Sequence, residues 1–311
     1  MTLVRNTVAG ISRTLLMLAG LLSGGLIQAE VVATGAIDIT DDLGVRHQLA
    51  QPAQRIVALM PHGTELLFEV GAGAQVVGTV DYSDYPLAAK QIPRVGGYSG
   101  LNIEAIVALN PDLVVAWPEG NKTRELERLR QLGLPLFASD PRTFDGIANS
   151  LERLGIVSGH AAEGKQRADE VRSRTQALRD TYSHQAPLTV FYQVWHEPLL
   201  TQNGSTFISH AIELCGGHNI FADLPLTAPQ VSIEAVLAAD PQVIVASGMG
   251  ASRPEWLDEW RKYPGLTAVA TNSLYHIHPD FFNRPTSRFL TGTEQLCAAM
   301  AGTRQRAAST R

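Results

Sequence analysis

Two stretches of this chain repeat each other. Residues 102–116 read NIEAIVALNPDLVVA and residues 232–246 read SIEAVLAADPQVIVA, identical at seven of fifteen positions. In each copy a residue able to cap a helix, Asn102 or Ser232, opens a short amphipathic run that ends at Asn110 or Asp240, and Pro111 or Pro241 stops it. An apolar, β-branched run follows at 113–116 or 243–246 and reads as a buried strand. A helix-then-strand unit that recurs 130 residues later implies two similar α/β lobes.

The same alternation fills out both halves. Strands are predicted at 55–59 and 75–80 around a helix at 63–70. In the second half a strand at 188–192 precedes a helix at 206–215, which Gly216-Gly217 closes. Short links between alternating strands and helices predict parallel sheets. Ahead of them, residues 37–49 read as a hairpin with its turn at 42–44. Residues 160–182 are polar on most faces, rich in helix formers and free of proline, with Val171, Leu178 and Tyr182 near helical spacing. That is longer than a flexible linker needs to be, and it reads as one long connecting helix that limits how far the lobes open. The organisation expected is a leader at 1–29, an N-terminal lobe at 30–155, the connector at 156–185 and a C-terminal lobe at 186–311.

The leader follows from charge and length. Arg5 and Arg13 precede an apolar run at 15–27, and no acidic residue occurs before Glu30. A positive start, an apolar stretch too short to span a bilayer and a small residue at Ala29 describe a signal peptide cut near Ala29; an uncleaved anchor is the alternative. Its loss removes two arginines, leaving the chain more acidic than the −5 of the whole. There is no basic stripe of the kind nucleic-acid binding needs. The two cysteines, Cys215 and Cys297, read in an exported chain as one disulfide that would tie a last helix at about 291–300 to the element carrying Cys215, with two buried thiols as the alternative, and they offer no CxxC pair.

No catalytic constellation stands out. Gly97-Tyr98-Ser99-Gly100 lacks nucleophile-elbow spacing, and neither a Walker A loop nor H-E-x-x-H occurs. The chain therefore reads as a binder and not an enzyme. Among nine histidines, His276-x-His278 is read as sharing one strand face, but a metal site would need further ligands that the spacing does not supply. His62, following a strand end, lies where an α/β lobe meets its ligand. Aromatic residues at strand ends carry the stronger signal: Tyr82 after 75–80, Tyr98 in a Gly-rich loop, Trp117 after 113–116 and Trp195 after 188–192. A wide cleft lined by aromatics suits a large, flat, partly apolar ligand. Glu104 and Glu234 hold the same slot in the two repeats, in the first helical turn where the dipole favours a carboxylate. A matched acidic knob on each lobe is suited to a two-fold-related, positively charged partner.

These residues together resemble a family of substrate-binding proteins whose lobes are joined by one long helix (class III, helical-backbone), which serve importers of cobalamin, haem and iron siderophores. Tyr82-Ser83-Asp84-Tyr85-Pro86, Asn102-x-Glu104, Pro111-Asp112-Leu113-Val114, Ala116-Trp117, Cys215-Gly216-Gly217-x-Asn219, Pro229-Gln230-Val231-Ser232 and Gln295-Leu296-Cys297 are similar to its periplasmic cobalamin-binding branch. The resemblance implies two Rossmann-like lobes, a Cys215–Cys297 disulfide, and capture of cobalamin or a related corrinoid for an inner-membrane ABC importer. Cobalamin would be cargo, with no cofactor or metal of the protein's own, and the protein a periplasmic monomer. Glu104 and Glu234 would dock on the membrane subunits. Tyr82, Tyr98 and Trp117 would line one side of the cleft, and Asp280 and Arg284 the other. The chain departs from the pattern at Tyr98 and Ala228, where the family has Trp, and at Asn283, where it has an acid; Trp195 is the expected compensation. Haem or a ferric siderophore is the alternative ligand, and an enzyme acting on a cofactor precursor the alternative class.

Overall fold

The computed structural model describes residues 36–248 and 252–309, so the leader read at 1–29 lies outside the described residues. Strands β1 (Ile37–Thr40) and β2 (Arg46–Leu49) form the expected antiparallel hairpin. Buried Asp41 closes its turn, accepting from the N–H groups of Leu43 (3.0 Å) and Val45 (2.9 Å). Its second oxygen accepts from Ala138 N–H at 3.1 Å and so fastens the hairpin to the first lobe.

That lobe runs β3 (Ile56–Ala58), α1 (Pro61–Glu69), β4 (Val76–Thr79), a small hairpin of β5 (Gly96–Gly97) and β6 (Gly100–Leu101), α2 (Ile103–Ala108), β7 (Leu113–Ala116), α3 (Thr123–Gln131), β8 (Leu136–Ala138) and α4 (Phe144–Ser158). Its sheet is parallel in the order β4-β3-β7-β8. After α5 (Ala161–Tyr182) comes β9 (Leu188–Gln193), a hairpin of β10 (Trp195–His196) and β11 (Leu199–Leu200), then α6 (Phe207–Leu214), β12 (Gly217–Asn219), α7 (Ile233–Ala239), β13 (Val243–Ala246), α8 (Thr267–Ala270), β14 (Leu274–His276), α9 (Pro279–Phe282) and α10 (Arg288–Ser309). The second parallel sheet has the order β12-β9-β13-β14, the same topology as the first. Every residue of β3, β7 and β13 is buried, as expected of parallel strands with helices on both faces. Both sheets switch direction beside their second-ordered strand, between β3 and β7 and between β9 and β13, and open α/β sheets bind ligands in the crevice beyond such a point.

The repeated units are the same object in space. Asn102 Oδ1 accepts from Ala105 N–H at 2.9 Å and Ser232 Oγ from Ala235 N–H at 3.2 Å. Asn110 and Asp240 each take a left-handed conformation before the proline, with φ of 45° and 42°, a region that Asn and Asp enter more readily than other side chains.

Helix α5 spans 22 residues, about 33 Å at 1.5 Å per residue. Gly164, Ala168, Val171 and Thr175 are buried, and Leu178 and Tyr182 continue the stripe half-buried. The stripe fits against α4 so closely that a Cβ on Gly155 would come 2.8 Å from Gly164 Cα. Ion pairs then tie α5 both ways: Arg172 to Glu152 on α4 at 2.7 Å, and Arg174 to Glu294 on α10 at 2.9 Å. The largest apolar cluster runs without a break from Leu66, Leu113 and Leu151 through Val171 to Val190, Ile212 and Phe289. Phe289 of α10 stacks on Phe144 of the first lobe at 5.4 Å. The lobes are therefore fused at their base.

Two expectations change. Helix α10 continues to Ser309, well past the predicted 300, because Thr303 is buried against Tyr275 and Ser273, and Arg304 donates to the carbonyls of Ala186, Cys215 and Gly216. Tertiary anchoring outweighs the glycine at 302. His276 and His278 do not share a strand face. Pro279 supplies no N–H for the ladder, so β14 ends at His276, and His278 caps α9 by accepting from Asp280 N–H at 3.2 Å. Cys215 and Cys297 form a disulfide that joins the end of α6 to α10.

Candidate functional site

Both switch points open onto one cavity of about 590 Å³. The first lobe contributes Pro61 and His62 after β3, Tyr82 after β4, Trp117 after β7, and Asp140 and Arg142 after β8. The second contributes Tyr192 and Val194 at the end of β9, Thr206 and Phe207 at the start of α6, and Asp280, Asn283 and Arg284 around α9.

The first wall is aromatic, and its three charged side chains, Glu119, Asp140 and Arg142, are paired with one another. Trp117 is held at both ends: its backbone N–H donates to Asn121 Oδ1 at 2.8 Å and its indole Nε1–H to Asp140 Oδ1 at 2.9 Å. Asp140 is in turn neutralised by Arg142, whose Nε–H reaches its other oxygen at 2.9 Å. The indole lies so close over its own loop that a Cβ on Gly120 would be 2.0 Å from the ring. His62 meets Trp117 edge to face at 5.2 Å and is 4 % exposed. Burial pushes its imidazole pKa down to about 4, Asp140 opposing and Arg284 reinforcing the shift, so the ring is neutral at pH 7. Its Nε2 has no hydrogen-bond partner among the described residues.

The second wall sets a polar network beside the apolar Val194, Phe207 and Ile208. Ser247 Oγ donates to Asn283 Oδ1 at 2.7 Å, the Tyr192 hydroxyl lies 2.7 Å from the same Ser247 oxygen, and Asn283 Nδ2 donates to the Gly248 carbonyl at 3.2 Å. Burial raises the Tyr192 phenol above its usual range, which keeps it a donor. Arg284 crosses the cleft. Its Nη2–H donates to the Tyr82 carbonyl at 3.0 Å, and Nη1 lies 2.9 Å from Asp84 Oδ1, an ion pair outside hydrogen-bond geometry. Asp280 stands 4.0 Å from Arg284 and 3.7 Å from Arg288.

Of the residues singled out in the sequence, His62, Tyr82, Trp117, Asp280 and Arg284 line this cavity together. Tyr82 presents its ring at the mouth, 73 % exposed, with a positive φ of 63°. Two others fall outside the lining. Tyr98 is 98 % exposed at the tip of the β5–β6 hairpin. Trp195 begins a separate hairpin beyond β9, where it packs on His196 and Trp256 and donates to the Glu197 carbonyl at 3.1 Å. Val194 takes the lining position next to it. Asp140, Arg142, Tyr192 and Phe207 went unread, although Asp140 and Tyr192 also lie at strand ends.

Glu104 and Glu234 are exposed in the first turns of α2 and α7, and neither makes an ion pair among the described residues. Each helix runs back antiparallel to the strand after it, which puts both carboxylates toward the strands' carboxyl ends, the side on which the cleft opens. The Glu234 carboxyl is held below its usual range by its own backbone N–H and by Ser232. Among the described residues no group of three or more His, Cys, Asp or Glu side chains could hold a metal, and no helix is long and apolar enough to cross a membrane.

The profile of the periplasmic binding protein family matches residues 56–281. A vitamin B12-binding protein of Vibrio campbellii is 38% identical over 255 residues, which cover 82% of this chain and 92% of that protein. One from Yersinia pestis is 40% identical over 252 residues, covering 81% and 88%. The crystal structure of the periplasmic vitamin B12 binding protein BtuF of Vibrio cholerae superposes with a TM-score of 0.75 at 40% identity, over 81% of this chain and 98% of that one. A periplasmic heme-binding protein, RhuT from Roseiflexus sp. RS-1, superposes with a TM-score of 0.70 at 25% identity, over 81% and 99%.

Proposed function

This chain belongs to the periplasmic binding protein family, and from that premise we propose that it captures cobalamin or a related corrinoid and delivers it to an inner-membrane ABC importer. The observation that carries this reading is the likeness of about 40% identity, over four-fifths of the chain, to proteins named for vitamin B12. The haem-named neighbour shares the fold at lower identity.

The cavity suits such a cargo. A corrin is flat and partly apolar, and its rim carries amide arms. The indole of Trp117, edged by a neutral His62, offers an apolar platform, and the carboxylate beside it, Asp140, is already paired with Arg142. Tyr82 adds a ring at the mouth, and Asp280 and Arg284 supply an acceptor and donors for amides. Tyr98 and Trp195 enter this reading only as rim residues. Two lobes fused at the base and strapped by α5 are nearly preformed, and a rigid ligand adds little ordering cost, so binding energy is not spent on assembling the site. The corrinoid is cargo and no cofactor is involved. Matched carboxylates at Glu104 and Glu234 would engage basic residues on the two membrane subunits. The mature protein would be a periplasmic monomer beginning near Glu30, with lobes at 30–155 and 186–311 and the connector between them.

Titration calorimetry with cyanocobalamin, and in parallel with haemin and a ferric siderophore, tests this reading. One-to-one submicromolar binding of cyanocobalamin is expected. Binding of haemin or siderophore in its place would keep the fold and overturn the ligand, and turnover of any of them would overturn the class.

A further inference from the structure

Helix α1 carries two carboxylates one turn apart, Glu65 and Glu69, in a helix otherwise packed into the core. Glu65 is 2 % exposed and Glu69 half-buried. Both are turned toward the second lobe, at the segment between α9 and α10. Thr286 Oγ1–H donates to Glu65 Oε1 at 2.7 Å, while Arg288 Nη1 and Arg284 Nη1 stand 3.3 and 3.7 Å from Oε2. Burial raises the Glu69 carboxyl above its usual range, and the nearby Ser287 side chain and backbone oppose the shift. Three of the five residues from 284 to 288, Arg284, Thr286 and Arg288, thus face one carboxylate of the opposite lobe.

This clasp reaches into the cavity. Arg284 lines it and bonds the Tyr82 carbonyl. Arg288, stacked over the Tyr85 ring at 3.8 Å, also faces the cavity acid Asp280 at 3.7 Å. Glu65 and Asp280 therefore compete for the same two guanidinium groups. With Glu65 between them, Asp280 is left 3.7 and 4.0 Å from the arginines, beyond hydrogen-bond reach on both sides. Its oxygens stay available as acceptors. Without the Glu65 charge, Arg288 and Arg284, the latter already 2.9 Å from Asp84, would close on Asp280 and withdraw the donors and acceptor of this wall.

We infer that Glu65 is a positioning residue for ligand binding: buried in the first lobe, it holds Arg284 and Arg288 so that Arg284 and Asp280 face the amide-bearing edge of the ligand. The inference rests on the corrinoid reading above. It concerns a residue that does not line the cavity.

The test is a double-mutant cycle on the affinity for cyanocobalamin, measured by calorimetry with Glu65→Gln, Arg284→Gln and the pair. Glu65→Gln keeps the shape and removes the charge. It is expected to weaken binding about tenfold alone and about twofold or less once Arg284 is already gone, because coupled residues are not additive. A merely structural role would give the same loss in both backgrounds, and that result, or an unchanged affinity in Glu65→Gln, would overturn the inference. If Glu65→Gln does not fold, Thr286→Val loosens the same carboxylate and keeps its charge; its loss, about threefold, should likewise disappear in the Arg284→Gln background, and its persistence there would overturn the inference. Failure of the unsubstituted protein to bind any corrinoid would overturn the proposed function and this inference with it. Normal binding with additive losses would overturn the inference alone.

Discussion

The two lobes agree at their shoulders and disagree in the cleft. Around α2–β7 and α7–β13 they share a capped first turn, an exposed glutamate, a left-handed residue before proline and a buried strand. At the carboxyl ends of the same two sheets, one wall is an indole pinned by Asp140 beside a neutral imidazole, and the other is a network of hydroxyls, an amide and the Asp280–Arg284 pair. Identical topology thus supports unlike surfaces, because the strand fixes where a loop begins and leaves its side chains free. Symmetry persists where the proposed partner is two-fold and lapses where the proposed ligand has unlike faces and edges.

The largest effect separating the walls is in stability. His62 is buried neutral, with a folded pKa of about 4 against the ordinary 6.5. Between those values the unfolded chain binds a proton that the folded protein refuses, so stability falls as pH drops from 6.5 toward 4. The loss reaches about 3 kcal/mol. Glu65 and Glu69, raised by burial, act in the opposite sense: protonating them as the pH falls relieves a buried charge. Denaturant unfolding of the parent and of His62→Gln at pH 7 and pH 4 isolates the His62 part. An equal pH dependence in both proteins would mean that His62 is not neutral in the way described.

Next comes the platform itself. Trp117→Ala should weaken cyanocobalamin by about 2 kcal/mol in calorimetry, the scale of one buried aromatic contact. Unchanged affinity would place the ligand elsewhere. On the polar wall, Asp280→Asn keeps an acceptor and loses the charge, and about 1 kcal/mol is expected. A loss larger than that of Trp117→Ala would reverse the ranking of the two walls. The smallest effect on binding belongs to the shoulders: Glu104→Ala with Glu234→Ala should leave affinity unchanged and abolish uptake in a reconstituted importer. Lost ligand binding would make these carboxylates structural.

What could be read in the sequence follows the range of the forces involved. Caps, proline stops, buried β-branched strands and the proline-free connector are local, and α2, β7, α5, α7 and β13 appear where the residues put them. Strand ends also gave His62, Tyr82 and Trp117 their positions around the cavity. Trp195 and Tyr98 shared that signal and lie outside the lining, since a strand end does not say which way the chain turns once the ladder stops. Asp140, Glu65 and Arg288 were silent because their meaning lies in partners far away in sequence: Asp140 in Trp117, and Glu65 in Thr286 and Arg288. The length of α10 was hidden for the same reason, its last turns being held by Tyr275 and by carbonyls of three distant residues.

On the proposed reading, one aromatic wall and one polar wall hold a flat ligand between lobes fused at their base. A crystal structure of the protein with cyanocobalamin tests it most directly. The account predicts the corrin ring against Trp117 and Tyr82, its amide arms on Asp280 and Arg284, and the Glu65–Thr286–Arg288 contacts unbroken. A corrinoid bound away from Trp117, or lobes that had rotated apart through a broken Glu65 clasp, would contradict it.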